Sequence, residues 1–512
     1  MVRLFNQAAI AAALLSLASS AHKNVCGDNA LKPQYKAPND KFPIPSNGWR
    51  AQLIHQGLRR PRAMVWDSKG ALLMTEGAGV VYFNVADNNG CLSLENKIVL
   101  VNDTENYNHG IQMSPDGTHL YVSTPDQVHQ FDYDPSTPSI SNRKTIIQNM
   151  IDEDHWTRTL FLSSKSPDTL LVSRGSWGNW DEAAAFKETP RAQIRSFNIS
   201  LSITSSPDFI PYDFPTQGKI IGWGLRNSVG ITEHPQTGGI YSVENSADHI
   251  HRMSVDIHIH NPGEELNFHG YLNGSFPEGE NFGYPHCFAL YDPTLIPNPG
   301  TLQIGNNFAL ENKDLINDET CNRDYIPPRL TFMAHMAPLD IKFDVSGKRA
   351  FISFHGSWNR PENDTQGYKV SYVEFDSQKG EPLEKSTNNS AIIDIIRNVD
   401  SRNCRETGCF RPAGLLWDNH SEKKRLFVSN DQVGEIWVLE EGNYKYDEFG
   451  NEIDENDIED QPSQTEEDVP AEASTSSPAM RVFGGGVGTE GWMMIGFSVL
   501  ASFVGGVWFI VA

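Results

Sequence analysis

Asp154–Trp180 reads "DHWTRTLFLSSKSPDTLLVSRGSWGNW". A polar opening with His155 and Arg158 leads into the apolar run Leu160–Leu162. A Ser- and Pro-containing turn follows, then a second apolar run, Leu170–Val172, and a loop rich in glycine and tryptophan. Short apolar runs bounded by Pro, Gly, Asp and Ser are the pattern of antiparallel strands rather than helices. The same plan recurs along the chain. It appears in "RPRAMVWDSKGALLMTEGAGVVYF" (60–83), "NHGIQMSPDGTHLYVSTPDQVHQFDY" (108–133) and "LRNSVGITEHPQTGGIYSVENSADHIHR" (225–252). It appears again in "MAPLDIKFDVSGKRAFISFHGS" (336–357) and "RPAGLLWDNHSEKKRLFVSNDQVGEIWVL" (411–439). A strand unit repeated with insertions of variable length is the signature of an all-β fold, a β-propeller with six blades. A pair of packed β-sandwich sheets is the architectural alternative.

In a propeller the first strand of every unit lines the central channel, so the residues just before it converge on one mouth. The expected ring is Arg62, His109, His155, Arg226, His335 and Arg411. Such a ring predicts a positive pocket in an acidic protein, suited to an anionic ligand with several carboxylates or phosphates. Arginine is favoured there because its planar fork holds carboxylate bidentately.

The 512 residues divide by composition. Residues 1–21, Arg3 followed by an apolar run and Ser19-Ser20-Ala21, read as a secretory signal peptide. Residues 22–440 are the propeller. Residues 441–485 form an acidic stalk containing Ser, Thr and Pro, and 486–512 an apolar tail that reads as a GPI-anchor signal, with a transmembrane tail as its alternative. Six cysteines in a chain bound for an oxidising compartment predict disulfides. Cys404–Cys409 is the simplest pair, and the other pairings stay open. Sequons at Asn102, Asn198, Asn273, Asn363, Asn388 and Asn419 fit the same secreted, surface-anchored location. A net charge of −24 argues against nucleic acid as a partner. No dinucleotide-binding fingerprint in a strand-turn-helix setting is present, which argues against nicotinamide or flavin.

Several stretches, in this order, resemble the soluble quinoprotein sugar dehydrogenases, the glucose/sorbosone dehydrogenase type and the related fungal pyranose dehydrogenases. They are "DHWTRTL…SRGSWGNW", "GWGLRNSVGI", "NPGEELNFHG", "FGYPHC", "HGSWNRPENDTQGYKV" and "RPAGLL", and the likeness spans about residues 45–440. The resemblance implies pyrroloquinoline quinone and Ca2+ as cofactors, and oxidation of the anomeric carbon of a mono- or oligosaccharide. It implies His155 as the general base, a task suited to a side chain that titrates near working pH; from its place in the sequence, the neighbouring Asp154 is the expected carboxylate to orient it. It implies Arg226, paired with Asn227, as the group that stabilises charge growing on the quinone oxygen. The calcium would be held by the backbone carbonyls of Ser246 and Ala247, where the soluble glucose enzymes carry Gly-Pro. His355, Trp358 and Arg360 of "FHGSWNR" suit a flat anionic cofactor by stacking and pairing, and Arg62 and Arg411 its carboxylates. Glu264 and Glu265 are expected only to cap or brace a loop. The stretch from about Asn261 to Pro328 is expected to cover the channel mouth.

Electrons would pass to an external acceptor: a quinone, a cytochrome or a redox enzyme. Membrane contact would come through the C-terminal anchor alone. Two other classes are compatible with a six-bladed propeller. One is a calcium-dependent lactonase or esterase, which would centre its metal on side-chain Asn, Asp and Glu. The other is a non-enzymatic cell-surface binding propeller, which would leave the axial charges unnecessary.

Overall fold

Six sheets of largely antiparallel strands, two of them with a short parallel edge strand, follow one another along the chain. Their innermost strands are Met64–Trp66, Ile111–Met113, Leu160–Leu162, Ser228–Glu233, Pro338–Phe343 and Pro412–Trp417. Each packs beside the next, and the sixth packs beside the first, so the strands close a ring. This is the six-bladed β-propeller expected from the repeats. The structure, a computed structural model, describes residues 26–27, 30–35 and 42–453, apart from 78, 103–104, 152–153, 204–208, 275–278, 312, 314, 403, 405–407 and 448–451. The expected signal peptide, the expected stalk beyond Ile453 and the expected anchor tail lie outside the described residues.

Closure of the ring uses the N-terminal end of the fold. Trp49–His55 pairs antiparallel with Glu435–Glu441 and becomes the outer strand of the sixth blade. Ile44–Pro45 likewise edges the fifth. The described fold continues past residue 440: Tyr446 donates its N–H to Asn47 Oδ1 and its hydroxyl to the Trp49 carbonyl, both at 2.9 Å.

The strands form where apolar residues alternate or run together, and they bury themselves against neighbouring blades. Each of the six interfaces holds one apolar cluster. Val65, Leu73 and Val80 meet Ile111, Leu120 and Val122 between the first two blades. Leu72 and Phe83 meet Phe427 and Val438 across the closing seam.

A polar repeat accompanies the apolar one. Every second strand carries a buried hydroxyl: Thr75, Ser123, Ser173, Ser242, Ser353 and Ser429. Four of these donate across to the chain leading into, or beginning, the next inner strand: Thr75 to His109 O, Ser123 to Arg158 O, Ser353 to Ala413 O and Ser429 to Arg62 O. A buried hydroxyl needs a partner, and here that partner fixes the backbone of the channel mouth.

The fourth blade is interrupted twice. The hairpin His251–Arg252/Val255–Asp256 falls between its second and third strands. After the third strand, Glu264–Tyr271, comes a longer excursion with the ribbon Cys287–Ala289/Asn307–Ala309 and the helix Asp318–Asp324. The chain then returns as the outer strand Leu330–Phe332. The expected insertion therefore begins after Tyr271 rather than at Asn261. Its Tyr284 hydroxyl donates to the Asn179 carbonyl at 3.1 Å, against the mouth.

The expected Cys404–Cys409 bridge is formed, and the others are Cys26–Cys91 and Cys287–Cys321.

Candidate active site

His155 is 8% exposed, and its ring is oriented by the loop after the second strand of its own blade. Nδ1–H donates to the Ser176 carbonyl at 3.0 Å, with Ser176 Oγ equally close. The Ser176 hydroxyl in turn donates to Gly178 O at 2.7 Å. That fixes the tautomer and leaves Nε2 unprotonated, with no protein partner among the described residues. The orienting group is therefore Ser176 and not the expected Asp154, because Nδ1 is already committed to Ser176. Burial, reinforced by the Arg226 charge, lowers the imidazole to about 3, so it is neutral at physiological pH.

Gly175 lies between His155 and Asn227. A Cβ there would stand 2.7 Å from His155 Cβ and 2.8 Å from Asn227 Oδ1. The Asn227 side-chain amide makes no hydrogen bond among the described residues.

Arg226 follows the rule of the ring, two residues ahead of its inner strand, and is 5% exposed. Its guanidinium meets Asn179 Oδ1 at 2.9 Å and Asp248 Oδ2 at 3.4 Å, and donates to the Asn245 carbonyl at 3.2 Å. Asp248 also touches His335 Nδ1 at 3.2 Å and accepts from Asn359 at 3.4 Å. Burial pushes this carboxyl up, but His335 and Arg226 outweigh it and hold it below the usual range. The other ring nitrogen of His335 donates to the His258 carbonyl, so His335 is a strut between loops.

A second cluster joins the first, second, fifth and sixth blades. Arg62 meets Asp431 Oδ2 at 2.6 Å and donates from Nε to His109 Nδ1 at 3.3 Å. His355 Nε2–H donates to the other oxygen of Asp431 at 2.7 Å. Burial raises Asp431, but His355, Arg62 and Arg411 together hold it well below the carboxylate range. Burial and Arg411 lower His355 to about 4. Burial and Arg62 likewise keep His109 neutral. Arg411 donates to the carbonyls of His355 and Gly356, each at 3.1 Å, with its guanidinium 5.5 Å from the Tyr368 ring centroid.

The structure thus brings the ring residues to one mouth but corrects its electrostatics. Three guanidinium charges, on Arg62, Arg226 and Arg411, face two carboxylates, Asp431 and Asp248, and His109, His155 and His355 are neutral. The pocket keeps a positive excess, smaller than six basic residues suggested, because arginines held at a protein's interior edge take counter-charges nearby. Register varies too: Arg411 stands one residue ahead of its inner strand, His335 three and His155 five. In the third blade the residue two ahead of the inner strand is Arg158, and its guanidinium folds back onto the carbonyls of His155, Thr157 and Ile151. His155 reaches the mouth from three residues earlier.

Arg360 does not reach into the mouth as a free cation. It is 5% exposed and spends its donors on the Ile259 and Asp364 carbonyls and the Asp364 carboxylate. Trp358 is 43% exposed and meets His249 edge-on, with centroids 5.8 Å apart.

The loop Ser246–Ala247 is held from below by Glu264, which accepts from Ser246 N at 2.8 Å and from Ala337 N at 3.1 Å. Neither the Ser246 nor the Ala247 carbonyl accepts a hydrogen bond among the described residues. Glu264 is thus the brace expected, and the loop it braces is the one singled out for a cation.

Asp248, Asp431, Asn179 and Ser176 were absent from the sequence-derived site. Asn179 and Ser176 stand inside the opening stretch, and Asp248 directly follows Ala247. Asp431 follows its strand as His355 follows its own, and that equivalence between blades was the available signal.

The fold and site are those of a six-bladed propeller with a neutral histidine and an arginine–carboxylate network at one channel mouth. The chain belongs to the TrAA12-like family, whose model matches residues 43–442. It is 41% identical over 446 residues to a pyrroloquinoline quinone-dependent sugar dehydrogenase of Hypocrea jecorina, covering 86% of this chain and 98% of that protein. It is 34% identical to a pyrroloquinoline quinone-dependent pyranose dehydrogenase of Coprinopsis cinerea, covering 79% of this chain but only 55% of that longer protein. Among solved structures, the calcium structure of the Trichoderma reesei family AA12 protein superposes with a TM-score of 0.75 at 42% identity, covering 81% of this chain and 99% of that one. The holo pyranose dehydrogenase quinone domain of Coprinopsis cinerea gives 0.72 at 33%, covering 80% and 98%.

Proposed function

We propose that the protein is a pyrroloquinoline-quinone-dependent sugar dehydrogenase that oxidises the anomeric carbon of an aldose or pyranose, with calcium as second cofactor. The observation that carries this reading is His155, tied through Nδ1 and open at Nε2, beside the unpartnered amide of Asn227 and the clamped guanidinium of Arg226. Membership of the TrAA12-like family supports it.

The residues fit both cofactors. The quinone, when bound, supplies a two-electron acceptor for hydride, and calcium supplies a Lewis acid. Ser246 and Ala247 offer two carbonyl oxygens that accept no hydrogen bond, the kind of ligand calcium takes readily. His155 Nε2 is placed to take the proton of the anomeric hydroxyl; burial and Arg226 keep the ring neutral, so the lone pair is available, but they hold it below the near-neutral titration expected from the sequence. Arg226 and Asn227 present N–H donors to a developing oxyanion without moving, since Asn179 and Asp248 already hold the guanidinium. Arg62 and Arg411 orient a polyanionic cofactor, and Trp358 offers it a ring face.

Electrons leave to an external acceptor: a quinone, a cytochrome or a redox enzyme. The signal peptide, the sequons and the bridges Cys26–Cys91 and Cys287–Cys321 support a secreted glycoprotein, and the apolar tail a surface anchor. A lactonase reading finds less support, because the two carboxylates at the mouth, Asp248 and Asp431, are each bound to an arginine.

The test is calorimetric titration of the apoprotein with the quinone in the presence of calcium, followed by dye reduction with aldoses. Tight binding is expected, weakened in Arg226→Ala. His155→Ala should bind quinone and fail to reduce dye. Absence of binding at micromolar quinone would overturn the cofactor assignment.

A further inference from the structure

The loop that orients the base also carries aromatic rings in solvent. Trp177 is 57% exposed and Trp180 42%. Isolated apolar residues on a surface are ordinary, but Trp177 is not loosely placed. The Arg191 guanidinium lies over its ring, 4.6 Å from the centroid, and Arg191 is paired with Asp181 at 3.3 Å. Asp181 also accepts the backbone N–H of Trp177 at 2.8 Å, so one buried carboxylate fixes both the ring's backbone and the cation behind it. Arg191 covers one side of the ring, and Trp177 still keeps 57% of its surface exposed. Trp180 is held by an edge-on contact with Phe288 at 5.7 Å.

The same few residues reach both catalytic groups. Ser176 fixes His155 Nδ1, and Asn179 bonds Arg226 and the backbone N–H of Asp248, the latter at 2.8 Å. The platform therefore begins one residue from the group that sets the base. A rigid, half-exposed indole face is what a pyranose ring stacks on, since aromatic rings offer a large contact area at little entropic cost. Oxidation at an anomeric carbon acts on the reducing end, so any further sugar rings must leave the mouth across its rim.

We propose that Trp177, backed by Arg191 and Asp181, is a second sugar subsite that takes the ring preceding the one oxidised. The substrate class of this site is then reducing oligosaccharides rather than free monosaccharides alone. This rests on the dehydrogenase reading, but its binding arm does not depend on the quinone.

The test titrates the apoprotein with a reduced trisaccharide, its terminal unit an alditol that cannot be oxidised, and with the matching monosaccharide alditol. Binding is read by calorimetry and tryptophan fluorescence. The wild type should bind the trisaccharide at least about tenfold more tightly than the monosaccharide, a difference of about 1.4 kcal/mol. Trp177→Ala should remove that margin and Trp177→Phe should restore most of it, with melting temperature as the control for folding. In the quinone-loaded enzyme, Trp177→Ala should lower kcat/KM for the reducing trisaccharide about tenfold relative to the monosaccharide, by the same arithmetic. A wild type that shows no preference for the trisaccharide, or a Trp177→Ala variant that keeps the preference, overturns the subsite. Failure of every sugar to reduce the loaded quinone would instead overturn the dehydrogenase reading and leave the binding result to stand or fall separately.

Discussion

Gly175→Ala is the sharpest probe of the site, because it adds one methyl group between two working side chains. The new Cβ would stand 2.7 Å from His155 Cβ, 2.8 Å from Asn227 Oδ1 and 3.2 Å from the Arg226 carbonyl. Carbon atoms in contact settle at about 3.5–4.0 Å, so the neighbours must open by roughly 1 Å. The glycine is not in the left-handed region, so alanine carries no backbone strain and the clash is the whole perturbation. His155 is tethered through Nδ1 to Ser176, immediately beside the substituted position, and cannot slide away without tilting its base nitrogen. Overpacking of this kind costs about 1–3 kcal/mol, a modest loss from a fold with six apolar interfaces. A misplacement of about 1 Å at the reacting group costs on the order of a hundredfold in rate. The expected result is a protein that melts within a few degrees of wild type but has kcat reduced about a hundredfold, again from that misplacement. The assay is dye reduction by an aldose after loading with quinone and calcium, with calorimetric quinone affinity measured in parallel. Gly178→Ala serves as a control three residues on, because its Cβ meets only Asp154 Oδ2 at an ordinary 3.5 Å and kcat should barely change. Wild-type kcat in Gly175→Ala, at unchanged melting temperature, would refute the argument that His155 is positioned by this packing.

Further outcomes follow from the same contacts. Asp431→Asn leaves the half-buried Arg62 and His355 without their carboxylate and should destabilise the protein by about 1–3 kcal/mol, read as a lowered denaturant midpoint. Glu264→Gln weakens the bonds to Ser246 N and Ala337 N; calcium needed for half-maximal activity should rise severalfold while the melting temperature of the apoprotein moves little. Acid stability carries a definite sign. Burial lowers His269 to about 3, against 6.5 in the unfolded chain, so unfolding takes up a proton on the acid side. Its share of stability is full above about pH 6.5 and is lost as pH falls toward 3, at up to about 1.4 kcal/mol per pH unit. Glu265 acts oppositely. Burial raises it to about 7, so its share is present below the unfolded value of 4.5 and is lost as pH rises through 7. His269→Gln should flatten the acid limb of the melting-temperature profile and Glu265→Gln the alkaline limb; unchanged limbs would count against both assignments.

The repeats, the six blades and the basic residues ahead of the inner strands were legible because all three are local properties. Strand patterning is set by a period of two, and the residues just ahead of an inner strand approach the channel in several blades, two residues ahead at Arg62, His109 and Arg226. The partners of those residues were not legible. Arg62 meets Asp431 at a separation of 369 residues, and Asn359 reaches Asp248 across 111. A buried guanidinium demands a counter-charge, but that demand does not say which blade supplies it. Asp154 looked like the partner of His155 because it is adjacent in sequence, and the chain instead turned the ring onto Ser176, 21 residues on. Arg360 sat in a persuasive motif yet was consumed by Asp364 and Ile259. The sequence by itself determined the blade repeat and the residue types that meet at the mouth. Only closure of the ring decided which charges are paired, which imidazoles are neutral and which nitrogen stays open, because each depends on distances between blades that neighbours in sequence do not set.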